Sequence, residues 1–127
     1  MTKQSLFLLA ASVGLVPIAL GYGVAPTVSM PTLYQVDVDS VGAAHVLRAV
    51  MGLYLAMVVL WVTGAFNESM RLPALWSLIV FMLGLAAGRA LSLLVDGMPS
   101  PLFLVYLLLE IGFGAVGLHL VRSAPEH

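Results

Sequence analysis

Arg48, Arg89 and Glu110 lie in three different apolar stretches of the chain, and an ionisable group inside a membrane span is costly enough to need a partner or a task. A guanidinium facing a carboxylate makes an ion pair. A second guanidinium nearby leaves surplus positive charge, which suits an anionic group such as a lipid phosphate or a ligand carboxylate, held bidentately. His45 stands three residues before Arg48, and Ser92 and Asp96 follow Arg89 at spacings that keep them on its helical face. The candidate ligand-binding residues are therefore His45, Arg48, Arg89, Ser92, Asp96 and Glu110. Arg89 and Glu110 are the expected ion pair, with Asp96 as a rival source of negative charge.

These residues need elements to hold them. The chain has 127 residues, 61% of them hydrophobic and only 9% charged. A soluble domain carries about 25% charged residues, so this chain reads as an integral membrane protein. Four apolar segments each approach the ~20 residues that span ~30 Å of hydrocarbon as a helix. They run from about Leu6 to Val28, Gly42 to Phe66, Leu72 to Val95 and Pro101 to Val121. None alternates with period two, which excludes a membrane barrel. The expected fold is an all-α integral membrane protein, an up-down bundle of four transmembrane helices forming one domain over residues 1–127. Asp39 or Ser40 is placed to cap the second helix, and Pro73 falls near the expected first turn of the third. Pro17 is expected to kink the first helix. Lys3 and the apolar run after it also resemble a secretory signal, with Gly23-Val24-Ala25 as a cleavage site. Pro26 directly after that site is a poor start for a mature chain, so the first span is expected to be retained.

Lys3, Arg71 and Arg122 flank the spans on one side, and Asp37, Asp39 and Asp96 lie on the other. The excess of basic residues places both termini in the cytoplasm. In that frame Trp61 and Trp76 are expected at the inner interface and Tyr22 at the outer one. At ~1.5 Å per residue, Arg48, Arg89 and Glu110 all sit roughly 10 to 13 Å deep in the outer half. Because Cα–Cβ bonds tilt toward a helix N-terminus, Arg89 leans toward the level of Glu110. Arg48 is then left above the pair or snorkelling outward.

Other motifs carry less. Gly112-Phe113-Gly114-Ala115-Val116-Gly117 matches a dinucleotide fingerprint by letter, but it lies inside an apolar span with no strand before it. Small residues there, and Gly84 and Gly88, are expected to let helices approach closely. Asp37-Val38-Asp39 reads as a solvated loop with a helix cap in preference to a cation site, and His45 and His119 fall at opposite membrane faces. Tyr54 and Tyr106 read as packed phenols with satisfied hydroxyls. There is no cysteine, so thiol chemistry and disulfides are excluded. Net charge is −1, which argues against nucleic acid. No catalytic residue, metal site or cofactor is assigned.

The segment Ala44-His45-Val46-Leu47-Arg48-Ala49-Val50-Met51-Gly52-Leu53-Tyr54 resembles one block of a small bacterial four-span family. Gly88-Arg89-Ala90-Leu91-Ser92, then Asp96-Gly97-Met98-Pro99-Ser100-Pro101, then Glu110, resembles another. The family is the one catalogued as domain of unknown function 4345, and the likeness extends over nearly the whole chain. It implies a four-helix protein of the bacterial inner membrane with Arg48, Arg89, Ser92, Asp96, Gly97 and Glu110 as signature positions. It brings no activity with it.

The leading expectation for function is a polar pocket in the outer half that binds a lipid or an amphipathic anionic small molecule. The stretch from Pro26 to Ser40 is long for a bundle connection and is expected to cover that pocket as a lid. Two alternatives belong to other classes. One is an accessory or assembly subunit of a larger membrane complex, or a homo-oligomer, with a purely structural ion pair. The other is a proton-coupled transporter or enzyme that titrates Glu110, against which stand the absence of an internal repeat and of any nucleophile–base pair.

Overall fold

The computed structural model describes residues 2–123. Five helices follow one another along it: α1 (Lys3–Gly23), α2 (Pro26–Tyr34), α3 (Val41–Phe66), α4 (Glu68–Val95) and α5 (Pro101–Ser123). All but α2 are long and apolar enough to cross a membrane, so the chain is a multi-pass α-helical membrane protein.

The junctions differ from the sequence expectation in ways the residues explain. The first span stops at Gly23 instead of running to Val28. Ala25 precedes a proline, which disfavours the helical conformation, and it adopts φ −141° and ψ 69°. Pro26 then opens α2, where its missing N–H costs nothing. The supposed lid loop is thus a short helix and an extended segment. Gln35 ends α2 in the left-handed region at φ 55°, and its N–H and that of Val36 close back on Met30 and Pro31 carbonyls. Ser40, not Asp39, caps α3 by accepting from the Ala43 N–H at 3.0 Å.

Between α3 and α4 lies a single residue, Asn67, whose side chain caps α4 by accepting from Ser69 N–H. The expected loop over residues 67–71 is mostly helix, so Pro73 sits inside α4 and not in its first turn. Arg71 makes so tight a turn tenable: its guanidinium donates to the Gly64 and Ala65 carbonyls, each at 3.2 Å, at the end of α3. These carbonyls have no intrahelical donor, and a cation there also complements the helix dipole.

α1 packs along α3, α3 along α4 and α4 along α5, whereas α1 and α5 touch only sparsely. The bundle is therefore a ring with one loose seam. Leu8, Leu15, Trp61, Leu75 and Leu78 form its centre. Trp61 is fully buried and donates its indole N–H to Ser77 Oγ at 3.1 Å. The expected interfacial role falls to Trp76 alone, which is half exposed. Gly64 seats its backbone against Ala74 Cβ, and Gly114 and Gly117 let α5 lie on Leu83 and Ile79 of α4. Gly84, Gly88 and Gly112 do not serve this purpose: a Cβ at any of them meets nothing within 4 Å. Large apolar side chains such as Val13, Val59, Val80 and Leu94 face outward, as a lipid environment requires.

Candidate functional site

α2 lies across one end of the ring, against α1, α3 and α5, and the deepest polar cluster lies beneath it. Arg89 from α4 donates through Nε to both carboxylate oxygens of Glu110 on α5, at 2.8 and 3.1 Å. Its Nη2 donates to the Tyr22 hydroxyl at the end of α1, at 3.3 Å. The guanidinium carbon lies 5.3 Å from the Phe103 ring centre and 5.7 Å from that of Tyr106, within cation–π range. Three spans thus converge on one cation. Glu110 is buried, at 6% exposure, and an unpaired carboxylate there would be strongly penalised.

Aromatic rings continue the cluster toward α2. Tyr34 stacks on Phe103 at 4.6 Å between centres, and its hydroxyl meets that of Tyr106 at 2.7 Å. Burial, reinforced by the Tyr106 hydroxyl, holds the Tyr34 phenol well above its ordinary value, so it remains a protonated hydrogen-bonding group. Tyr22 packs between Tyr34 and Tyr54. It is buried and bound to Arg89, not anchored at the lipid interface.

The remaining sequence candidates are placed elsewhere. Arg48 donates to the Gly23 carbonyl at 2.9 Å and the Val24 carbonyl at 3.4 Å. It closes the end of α1 as Arg71 closes α3, and it is not shared with Glu110. Ser92 donates to Asp96 at 2.7 Å, a local bond at the end of α4, and the carboxylate that pairs with Arg89 is that of Glu110. His45 is exposed on α3 and makes no hydrogen bond among the described residues.

Two cavities open beside Arg89. One, of about 70 Å³, lies in the loose seam between α1 and α5 and also reaches α3 and α4. Its walls are apolar (Leu15, Ile18, Leu85, Leu109 and Phe113 among them), and it ends on Arg89, Glu110, Tyr54 and Tyr106. Gly14 leaves its rim open, since a Cβ there would meet nothing within 4 Å. The other, of about 420 Å³, is a groove between α4 and α5 floored by Gly84 and Gly88 and reaching Ser92 and Phe103. Among the described residues no group of three potential metal ligands converges.

Sequence reasoning missed Tyr22, Tyr34 and Phe103 as members of the cluster. One signal was present: Phe103, Tyr106 and Glu110 stand at spacings of three and four, a single helical face. Nothing local marks Tyr22 or Tyr34, whose places depend on how α2 folds back.

The profile of the family described as Domain of unknown function (DUF4345) matches residues 4–121, and the chain belongs to that family. No curated protein and no solved structure matches it.

Proposed function

We propose that this member of the DUF4345 family binds a membrane lipid or another amphipathic small molecule in the seam between α1 and α5. The supporting observation is a cleft between α1 and α5 that is apolar along its walls and ends on a buried ion pair. An apolar pocket with a few convergent polar groups is the usual form of a small-molecule site. The loose packing of α1 on α5 gives a molecule in the bilayer a lateral way in. We place the protein in the bacterial inner membrane with both termini in the cytoplasm, which puts the polar end of the cleft in the outer half.

The wall at Gly14 provides the test. Gly14→Phe should fill the cleft without touching the core, because the space is open. Native mass spectrometry of protein extracted in mild detergent should show a retained lipid or amphipathic molecule on the wild type. Gly14→Phe should lose it while remaining helical and monodisperse. Equal retention by both proteins, or a bare wild type, would overturn the reading.

A second reading, an accessory subunit of a larger membrane complex, draws on Gly84 and Gly88. They present a small-residue face with nothing packed on it, the kind of surface that neighbouring membrane helices use. Co-purification of another membrane protein at fixed stoichiometry, lost on Gly84→Leu, would favour it.

A further inference from the structure

Among the described residues, the charged groups lining the cavity in the α1/α5 seam are Arg89 and Glu110, joined at 2.8 Å. Their charges cancel. Arg48, which would supply the surplus positive charge for an anion, does not line the seam and is bound to carbonyls at the end of α1. A ligand carrying net charge would therefore leave that charge uncompensated among apolar walls. An uncharged polar group carries no such penalty.

Few hydrogen-bonding groups at the cleft are unused. Tyr54 lines the cavity and is 5% exposed, yet its hydroxyl has no hydrogen-bond partner among the described residues. No fully buried polar side-chain atom there lacks a partner, so the small surface Tyr54 keeps includes its oxygen, at the cavity. Arg89 uses Nε and Nη2 and leaves Nη1 without a partner among the described residues. Both carboxylate oxygens of Glu110 accept from the one Nε of Arg89, which ties the carboxylate to Arg89 while leaving lone pairs over. A guanidinium N–H can only donate, whereas a phenol O–H can donate or accept, so a group that meets both Arg89 and Tyr54, beside the rings of Tyr106 and Phe113, must be an acceptor toward Arg89.

Resting on the binding reading above, we propose that the polar group seated in this cleft is an uncharged acceptor, a carbonyl of the ester or quinone kind, and not a phosphate or carboxylate. Tyr54 Oη and Arg89 Nη1 donate to it, and the apolar remainder of the molecule lies along Leu15, Ile18 and Leu109.

Lauryl probes of one chain length, differing only in the head (methyl ketone, methyl ester, carboxylate and primary amine), separate these possibilities. Each is titrated into the purified full chain in alkyl maltoside at mildly alkaline pH, and occupancy is read by native mass spectrometry. The ketone and ester should bind about ten-fold or more tighter than the carboxylate and the amine. Tyr54→Phe keeps the ring against Tyr22 and Phe81 and should weaken ketone binding about five-fold, the value of one neutral hydrogen bond. Tighter binding of the carboxylate, or no effect of Tyr54→Phe on the ketone, overturns the carbonyl assignment and leaves the binding reading standing. Failure of every probe on the wild type overturns both.

Discussion

Arg89 holds the bundle together at the level of single residues, because its guanidinium reaches α5 through Glu110 and α1 through Tyr22. Its position was legible in the sequence: charge inside a hydrocarbon span stands out, and two such charges of opposite sign on adjacent spans are natural partners. The role of Arg48 was not legible. Its partners are main-chain carbonyls of Gly23 and Val24, and every residue carries a carbonyl, so no residue type announces them. The pair itself can be measured. Arg89→Leu or Glu110→Leu alone should destabilise by about 3–5 kcal/mol, since each leaves a buried charge without its partner. The double leucine variant should cost much less than the sum. Unfolding by graded denaturing detergent, followed by helicity, reads the cycle, and additive losses would show that the two residues act independently.

At the scale of elements, the four spans follow from length and composition alone, but their joints do not. α2 exists because Ala25-Pro26 breaks one helix and starts another, a signal readable as a break yet not as a packed helix. The turn at Asn67 is shorter than expected because Arg71 satisfies the carbonyls that a longer loop would have exposed. Glycines divide in the same manner. Gly84, Gly88 and the glycines of residues 112–117 all carry the same expectation of close contact, and only the path of the neighbouring helix decides which positions, Gly64 among them, fulfil it. A Cβ at Gly64 would collide with Ala74 Cβ and approach the Met70 carbonyl, whereas one at Gly84 meets nothing. Gly64→Ala should therefore destabilise by about 1–3 kcal/mol through overpacking. Gly84→Ala should be neutral or stabilising by up to about 1 kcal/mol, as a helix interior gains from losing a glycine. Thermal unfolding of the two variants side by side tests this contrast, and equal behaviour would contradict the packing described for α3 and α4.

The molecule as a whole is a ring of spans with a loose seam and a polarised pair of ends. Lys3, Arg71 and Arg122 lie at the end away from α2, and Asp37, Asp39 and Asp96 lie at the α2 end. This charge bias supports the proposed orientation, with both termini in the cytoplasm. A C-terminal alkaline phosphatase fusion should be inactive and a fluorescent protein fusion bright; the opposite pattern would reverse the orientation and move the cleft's polar end to the inner leaflet. The seam was not foreseeable from sequence, since α1 and α5 are as apolar as their neighbours and only the pairing of helices leaves them apart.

Photolabelling decides whether the seam between α1 and α5 admits an amphipathic molecule, as proposed. The protein is placed in vesicles doped with a lipid bearing a photoreactive acyl chain, and the labelled positions are mapped by peptide mass spectrometry. Leu15 and Leu78 are both buried, at 5% and 0% exposure, but only Leu15 lines the cleft. Saturable adducts at Leu15 and Tyr54, absent at Leu78 and abolished by Gly14→Phe, are the predicted result. Labelling confined to outward residues such as Val13, Val59 and Val80, in proportion to their exposure, would contradict it.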